Sequence, residues 1–242
     1  MTLIIAHRGL ITQGVENTQS AFEAALALGV DGIETDVQQT ADGVPVLIHD
    51  EAIDRITTGQ GLVNTWQWTD LRRLPLRHEP AERLWSLSDA LTWLTAHQFT
   101  GVLNIEVKTD HVRYPGLEAQ VATLAQQAWP FTIVFSSFSS QSLQQLAALA
   151  PDIDRAQLFR WPTRVTTRLE ATGVITSTHP KISWVRWAIR HQRLSNPAQR
   201  RGWTVNQPDD LRLCFQAGLG AVITDQPVLA QQLRQEVMND DN

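Results

Sequence analysis

Four short apolar runs of this chain end in residues able to do acid–base, metal or phosphate chemistry. Ile4-Ile5-Ala6 runs into His7-Arg8-Gly9, Gly32-Ile33 into Glu34-Thr35-Asp36, Val46-Leu47-Ile48 into His49-Asp50, and Val102-Leu103-Asn104-Ile105 into Glu106-Val107-Lys108. Side chains alternate faces along a strand, so Glu34 and Asp36 share a face of theirs, as Glu106 and Lys108 do of theirs. Three carboxylates brought together repel one another, and a divalent cation relieves the repulsion. An all-oxygen donor set favours Mg²⁺, Ca²⁺ or Mn²⁺ over zinc. His7 and His49 suit proton transfer, because imidazole is the side chain that titrates near neutrality. Arg8 can grip the oxygens of a phosphate through a two-pronged contact, whereas Lys108 would act as a point charge. Each residue alone is ordinarily structural; the constellation points to chemistry.

The elements that must position these residues follow from period and punctuation. Apolar runs alternate with helical patterns, predicting strands over 3–6, 32–37, 101–107, 132–136, 154–159, 174–178, 202–205 and 221–224. Helices are predicted over 17–28, 87–96, 116–128, 140–149, 162–171, 184–194, 208–217 and 227–237. Eight β/α units predict an α/β fold, a closed (β/α)8 TIM barrel forming a single domain over 1–242, with an open doubly wound sheet as the alternative. A TIM barrel builds its active site at the C-terminal ends of its strands, where the residues above stand.

One stretch breaks the alternation. Thr40-Ala41-Asp42-Gly43 carries a turn signal, and 44–49 reads as the second strand of a hairpin. With Asp42-Gly43 as a two-residue turn, Asp36 falls opposite His49; a bulge shifts this by one. Residues 51–84 form a small insertion after the second strand, where Trp68, Leu71 and Leu74 predict one short helix capped by Thr69. Trp203 closes the seventh strand, either walling the mouth as a substrate-pocket residue or packing in the core. His78, His97, His111, His179 and His191 read as surface or packing residues.

Composition excludes several classes. With 43% hydrophobic and 19% charged residues and no biased tract, the chain reads as folded throughout. The formal charge is −5, and the basic residues read as scattered rather than gathered into a stripe, which argues against a nucleic-acid partner. Cys214 is the single cysteine, so no intrachain disulfide forms and a reducing compartment is expected. No secretory signal or membrane-length apolar run is evident, so the expectation is cytoplasmic, without membrane insertion and without an obligate protein partner.

The ordered set His7-Arg8-Gly9, Glu16-Asn17-Thr18, Gly32-Ile33-Glu34-Thr35-Asp36, Asp42-Gly43, His49-Asp50, Asn104-Ile105-Glu106-Val107-Lys108, Ser136-Ser137-Phe138, Trp203-Thr204-Val205-Asn206 and Thr224-Asp225 resembles the glycerophosphodiester phosphodiesterases over nearly the whole chain. Val15 stands where that family usually has proline. The resemblance implies metal-dependent hydrolysis of small-molecule glycerophosphodiesters, such as glycerophosphocholine and glycerophosphoethanolamine, to sn-glycerol 3-phosphate and an alcohol. It implies a metal on Glu34, Asp36 and Glu106, His7 and His49 as the acid–base pair, and Arg8 and Lys108 on the phosphate. A related barrel phosphodiesterase acting on lysophospholipids or phosphoinositides is the nearest alternative, which an exposed apolar rim would favour. An amidohydrolase-type site would need a His-x-His at the first strand, and a noncatalytic binding protein would break one of these positions; neither feature is present.

Overall fold

The computed structural model describes residues 1–240; the last two positions of the expected 1–242 domain, 241 and 242, lie outside the described residues. The strands are β1 (Leu3–His7), β2 (Gly32–Gln39), β3 (Pro45–Leu47), β4 (Val102–Val107), β5 (Thr132–Ser137), β6 (Asp154–Phe159), β7 (Ser177–Pro180), β8 (Arg201–Gly202) and β9 (Ala221–Thr224). The helices are α1 (Gln19–Leu28), α2 (Trp68–Leu71), α3 (Leu87–Ala96), α4 (Leu117–Ala125), α5 (Ser140–Leu149), α6 (Arg164–Ala171), α7 (Ile182–Arg190), α8 (Pro208–Gln216) and α9 (Pro227–Asp240).

All strands but β3 pair in parallel, in the order β7-β6-β5-β4-β2-β1-β9-β8. The Trp203 N–H donates to the Pro180 carbonyl at 3.0 Å and the Ile182 N–H to the Trp203 carbonyl at 2.7 Å, joining the β7 and β8 ends. The sheet is therefore a nearly closed (β/α)8 barrel, not an open doubly wound sheet. Ile33 and Val37 of β2 and Leu103, Ile105 and Val107 of β4 pack outward among Phe22, Leu91, Leu94 and Val121 of the helices, all of them wholly buried. Each aliphatic side chain so buried stabilises the fold by about 1.5–3 kcal/mol. The alternate residues of the same strands, Glu34, Asp36, Asn104 and Glu106, are thereby turned to the inside of the barrel.

The hairpin differs from expectation by one residue. Val37 pairs with Leu47 and Gln39 with Pro45, and the Ile48 N–H donates to the Asp36 carbonyl at 3.1 Å, so Asp36 lies opposite Ile48 rather than His49. The cause is a three-residue turn, Ala41-Asp42-Gly43. Gly43 takes φ +87°, and the Thr40 hydroxyl donates to Asp42 (2.7 Å) while accepting from the Val44 N–H (3.0 Å). Asp42 also accepts from the Trp68 N–H at 2.9 Å, so the start of α2 is held from the hairpin and Thr69 lies inside the helix instead of capping it. The insertion packs Ile53, Val63, Leu71 and Leu76 against Val46 and Ile48 of the hairpin in one apolar cluster.

The sixth barrel strand runs over Ser177–Pro180 rather than 174–178. Arg155 donates through Nε to the Val174 carbonyl (2.8 Å), which ties the preceding residues into a loop. His179 consequently sits inside a strand, wholly buried, where burial and then Arg201 hold its imidazole well below its usual range. The seventh strand is likewise shorter, Arg201–Gly202 rather than 202–205, with Trp203 paired beyond its end. Among the described residues no helix is long and apolar enough to cross a membrane.

Cys214 is wholly buried in α8, and burial followed by Asp210 pushes its thiol up to about 12. A thiol held protonated and covered is unreactive. Native protein at pH 8 is expected to leave an aromatic disulfide reagent unreduced, with one equivalent reacting after denaturation; fast reaction of the native protein would contradict this burial.

Candidate active site

Strand register assembles the site. His7 of β1 aligns with Glu34 of β2, and Asp36 of β2 aligns with Glu106 of β4, so neighbouring strands place the inward residues side by side. One oxygen from each of Glu34, Asp36 and Glu106 lies within 4.8 Å of the others. Hard divalent cations take oxygen ligands at roughly 2.0–2.6 Å, so three oxygens at this spacing suit one such ion, and the donor set contains no sulfur or nitrogen.

Burial, then Asp36 and Glu106, raises the Glu34 carboxyl well above the usual range. Burial and then Asp36 push Glu106 up to about 7. Asp36 goes the other way: burial acts to raise it, but Arg8, Lys108 and both His49 and His7 outweigh burial and pull it down. Lys108 Nζ stands 3.5 Å from Glu106 and 3.9 Å from Asp36. Arg8 Nε lies 3.1 Å from Asp36, near enough for ion pairing but not aligned as a hydrogen bond, and Arg8 Nη1 donates to Glu16 at 3.2 Å. Arg8 and Lys108 thus meet at Asp36.

The loop after β1 is bent to make this possible. Arg8, Gly9 and Asn17 all have positive φ, 60°, 86° and 59°. A side chain at Gly9 would bring its Cβ to 2.7 Å from the Ala21 backbone, so only glycine lets the loop lie on α1. Asn17 is buried at the centre: its Nδ2 donates to Asp36 at 3.0 Å, and its Oδ1 accepts from the Thr35 hydroxyl at 2.7 Å. These bonds explain why the predicted helix 17–28 starts only at Gln19.

Each imidazole has a carboxylate on Nδ1. His7 Nδ1 is 2.6 Å from Asp225, which follows β9, and His49 Nδ1 is 2.7 Å from Asp50. His7 Nε2 faces Glu34 at 3.9 Å. The backbone of His49 is fixed separately, because the buried Gln38 amide donates to the His49 carbonyl at 2.8 Å and accepts from the Tyr114 hydroxyl. Arg55 of the insertion donates to Asp50 and, through both terminal nitrogens, to Glu16 at 2.7 and 2.9 Å. A continuous chain of polar contacts therefore joins His49 through Asp50, Arg55 and Glu16 to Arg8.

Trp203 packs beneath the mouth on Ile5, Ala221 and Ile223, donates from Nε1 to the His179 carbonyl at 2.6 Å, and meets Phe138 edge to face at 5.4 Å. With His49, Lys108 and Phe138 it also lines a cavity of about 760 Å³. The wall and the packing position are the same place.

All eight residues singled out from the sequence thus stand at this end of the barrel. Asp225, Asp50, Arg55, Glu16 and Asn17 were given no role there. Asp225 ends an apolar strand as the others do, and the same criterion applied to the second half of the chain finds it. Arg55 carries no local signal, because its partner Glu16 is distant in sequence, whereas Asn17 stands in the Glu16-Asn17-Thr18 segment that carries the resemblance.

Burial acts to raise the Asp50 carboxyl, but hydrogen bonds from Arg55 and His49 outweigh it and hold the group at about 2. An unfolded aspartate titrates near 3.9, so this stabilisation is complete above about pH 4 and is lost as pH falls towards 2. Asp50→Asn is expected to cost about 1 kcal/mol at neutral pH, solvent screening limiting the loss. The difference from wild type in urea unfolding should shrink as pH falls from about 4 and vanish only below about pH 2. Asn17→Ala removes hydrogen bonds among buried groups and should cost about 2–3 kcal/mol in the same measurement at neutral pH.

Residues 7–229 match the model of the glycerophosphoryl diester phosphodiesterase family. A glycerophosphodiester phosphodiesterase of Caldanaerobacter subterraneus is 32% identical over 236 residues, covering 93% of this chain and 95% of that protein. One of Bacillus altitudinis is 32% identical over 251 residues, 98% of this chain and 100% of that protein. Among solved structures, an Oleispira antarctica phosphodiesterase in complex with the product sn-glycerol-3-phosphate superposes with a TM-score of 0.78 at 27% identity, covering 99% of this chain and 97% of that one. The chain belongs to the glycerophosphoryl diester phosphodiesterase family.

Proposed function

We propose that this protein hydrolyses glycerophosphodiesters such as glycerophosphocholine and glycerophosphoethanolamine to sn-glycerol 3-phosphate and an alcohol, with His7 and His49 as the acid–base pair. The observation that carries this reading is that two imidazoles, each with a carboxylate on Nδ1, both lie close enough to Asp36 to bias its ionisation, beside two cations and three clustered carboxylates. The product complex of the Oleispira relative supports the glycerol 3-phosphate half of the substrate.

Asp225 and Asp50 keep the proton of a neutral imidazole on Nδ1 and leave Nε2 to accept or donate one. One histidine in this neutral form takes a proton from the nucleophile. The other, protonated, returns one to the alkoxide as the bond from phosphorus to the alcohol oxygen breaks, so the alcohol leaves neutral. Arg8 and Lys108 exchange part of their pairing with Asp36 for the nonbridging phosphate oxygens and hold the growing charge. Glu34, Asp36 and Glu106 would hold Mg²⁺ or Ca²⁺, with Mn²⁺ as a further fit, and a bound ion would supply Lewis-acid polarisation of the phosphoryl group. The nucleophile is either water or the adjacent glycerol hydroxyl acting through a cyclic phosphate, and trapping of the cyclic product separates these routes.

Trp161 and Val165, about half exposed beside the mouth cavity, favour a second reading in which lysophospholipids are also cleaved. The assay therefore includes lysophosphatidylcholine beside the water-soluble diesters.

Release of glycerol 3-phosphate should fall at least about 100-fold in kcat/KM in His7→Ala and in His49→Ala. It should stop with EDTA and return with added Mg²⁺ or Ca²⁺. Undiminished turnover in either alanine variant would remove the two-histidine mechanism, and full activity after exhaustive chelation would remove the metal.

A further inference from the structure

Half of the basic residues lie in less than a quarter of the chain. Residues 155–208 hold ten of the 20 Lys and Arg but only one of the 25 Asp and Glu, Glu170. The reading of the cations as scattered is therefore corrected: no contiguous run exists, yet the segment is strongly basic and the rest of the chain strongly acidic.

The fold concentrates this charge on one side. Arg160, Arg164, Arg168, Arg186, Arg190 and Arg193, on α6, α7 and the loops beside them, are all exposed. Arg186 reaches Asp210 at 3.4 Å; the other five have no carboxylate partner among the described residues. Arg164 and Arg168 are one turn apart on α6, and Arg186 and Arg190 one turn apart on α7. Like charges at that spacing weaken a helix, so the arrangement does not serve stability.

Set among these arginines are exposed apolar groups. Trp161, in the loop entering α6, and Trp187 of α7 are 51% and 40% exposed and meet edge to face at 5.4 Å. Val165, in the first turn of α6, is 46% exposed. Indole is amphipathic and is favoured at the head-group level of a bilayer, and arginines beside it gain from the negative potential of anionic lipids. The acidic remainder of the chain would be repelled by the same surface, which orients the molecule. Arg160 and Val165 also line the mouth cavity, so this face is continuous with the active-site opening.

We propose that the α6–α7 face docks this protein peripherally on an anionic phospholipid surface, with Trp161 and Trp187 entering the head-group layer and Arg164, Arg168, Arg190 and Arg193 meeting lipid phosphates. An RNA would also satisfy the arginines. The lipid is favoured because Trp187 is stacked on His191 at 5.0 Å and meets Trp161 edge to face, which limits the ring face open for base stacking, and because the exposed Val165 offers a nucleic acid nothing. The proposal is independent of which phosphodiester the site cleaves.

The test is co-sedimentation of the full chain with vesicles of phosphatidylcholine alone, or with a quarter phosphatidylglycerol, at low and high salt, beside binding to an oligouridylate. Each basic residue near an anionic surface is worth roughly fivefold in partitioning. Wild type should therefore sediment with the anionic vesicles only and lose at least about tenfold at high salt. R164E/R168E/R190E should lose at least about tenfold at low salt, and W161S/W187S should weaken binding while leaving a wild-type thermal midpoint. The proposal is overturned by equal binding to both vesicle types, by no binding at low salt, by wild-type partitioning of both variants, or by tighter binding of the oligouridylate than of the vesicles.

Discussion

The mouth of the barrel is organised by the packing of three carboxylates within 4.8 Å, two of them buried and the third nearly so. Charges removed from water are costly unless paired, and here two cations face three acids. Arg8 and Lys108 both lie near Asp36, which decides the outcome: Asp36 keeps its charge, while burial and its neighbours push Glu34 and Glu106 towards the protonated form. The cluster is thus left short of positive charge, a deficit that a divalent ion would fill. The left-handed turns at Arg8 and Asn17 follow from the same constraint, since a loop that left β1 in extended form would carry the guanidinium and the Asn17 amide away from Asp36.

The histidines are positioned by contacts that only the finished fold provides. His7 is oriented by Asp225, 218 positions later, and Asp225 is held by Asn206 through Nδ2 (2.6 Å) and through its own N–H (2.9 Å). The first and last strands must therefore pair before that imidazole has its partner, so barrel assembly and orientation of His7 are one event. His49 depends on the insertion, because Arg55 grips Asp50 on one side and Glu16 on the other. The insertion is small, but it links the hairpin histidine to the loop that carries Arg8.

Much of this was legible in the residues because the barrel's periodicity is strict. Inward and outward positions alternate, so apolar residues at 33, 37, 103, 105 and 107 fix the faces of β2 and β4, and the carboxylates between them can only point inward. The barrel alternation and the convergence of Glu34, Asp36 and Glu106 follow from that rule. The hairpin register did not follow, because a two-residue and a three-residue turn differ by the side-chain bonds of Thr40, which composition does not reveal. The sixth strand was displaced for a similar reason, since Arg155 captures the Val174 carbonyl that would otherwise join the sheet. Local pattern found the residues at strand ends, whereas Asp225 and Arg55 were hidden because their partners lie far along the chain, and Asp50, although next to His49, is fixed only by Arg55 of the insertion.

The charge of the chain shows the same limit of averages from the opposite direction. A net charge of −5 describes a molecule weakly repelled by any anion, yet it is the sum of two parts of opposite sign, and neither part behaves like the mean. At the mouth, Arg8 and Lys108 stand among acids that hold them in place. On the α6–α7 face the arginines have almost no acids to hold them and extend into water. Screening confines each field to about 8–10 Å at ordinary ionic strength, so an approaching anion responds to the nearer patch and not to the total. What the chain attracts is therefore set by where the fold places each sign, and the two basic regions, one buried and paired, the other exposed and almost unpaired, present different surroundings to an approaching anion.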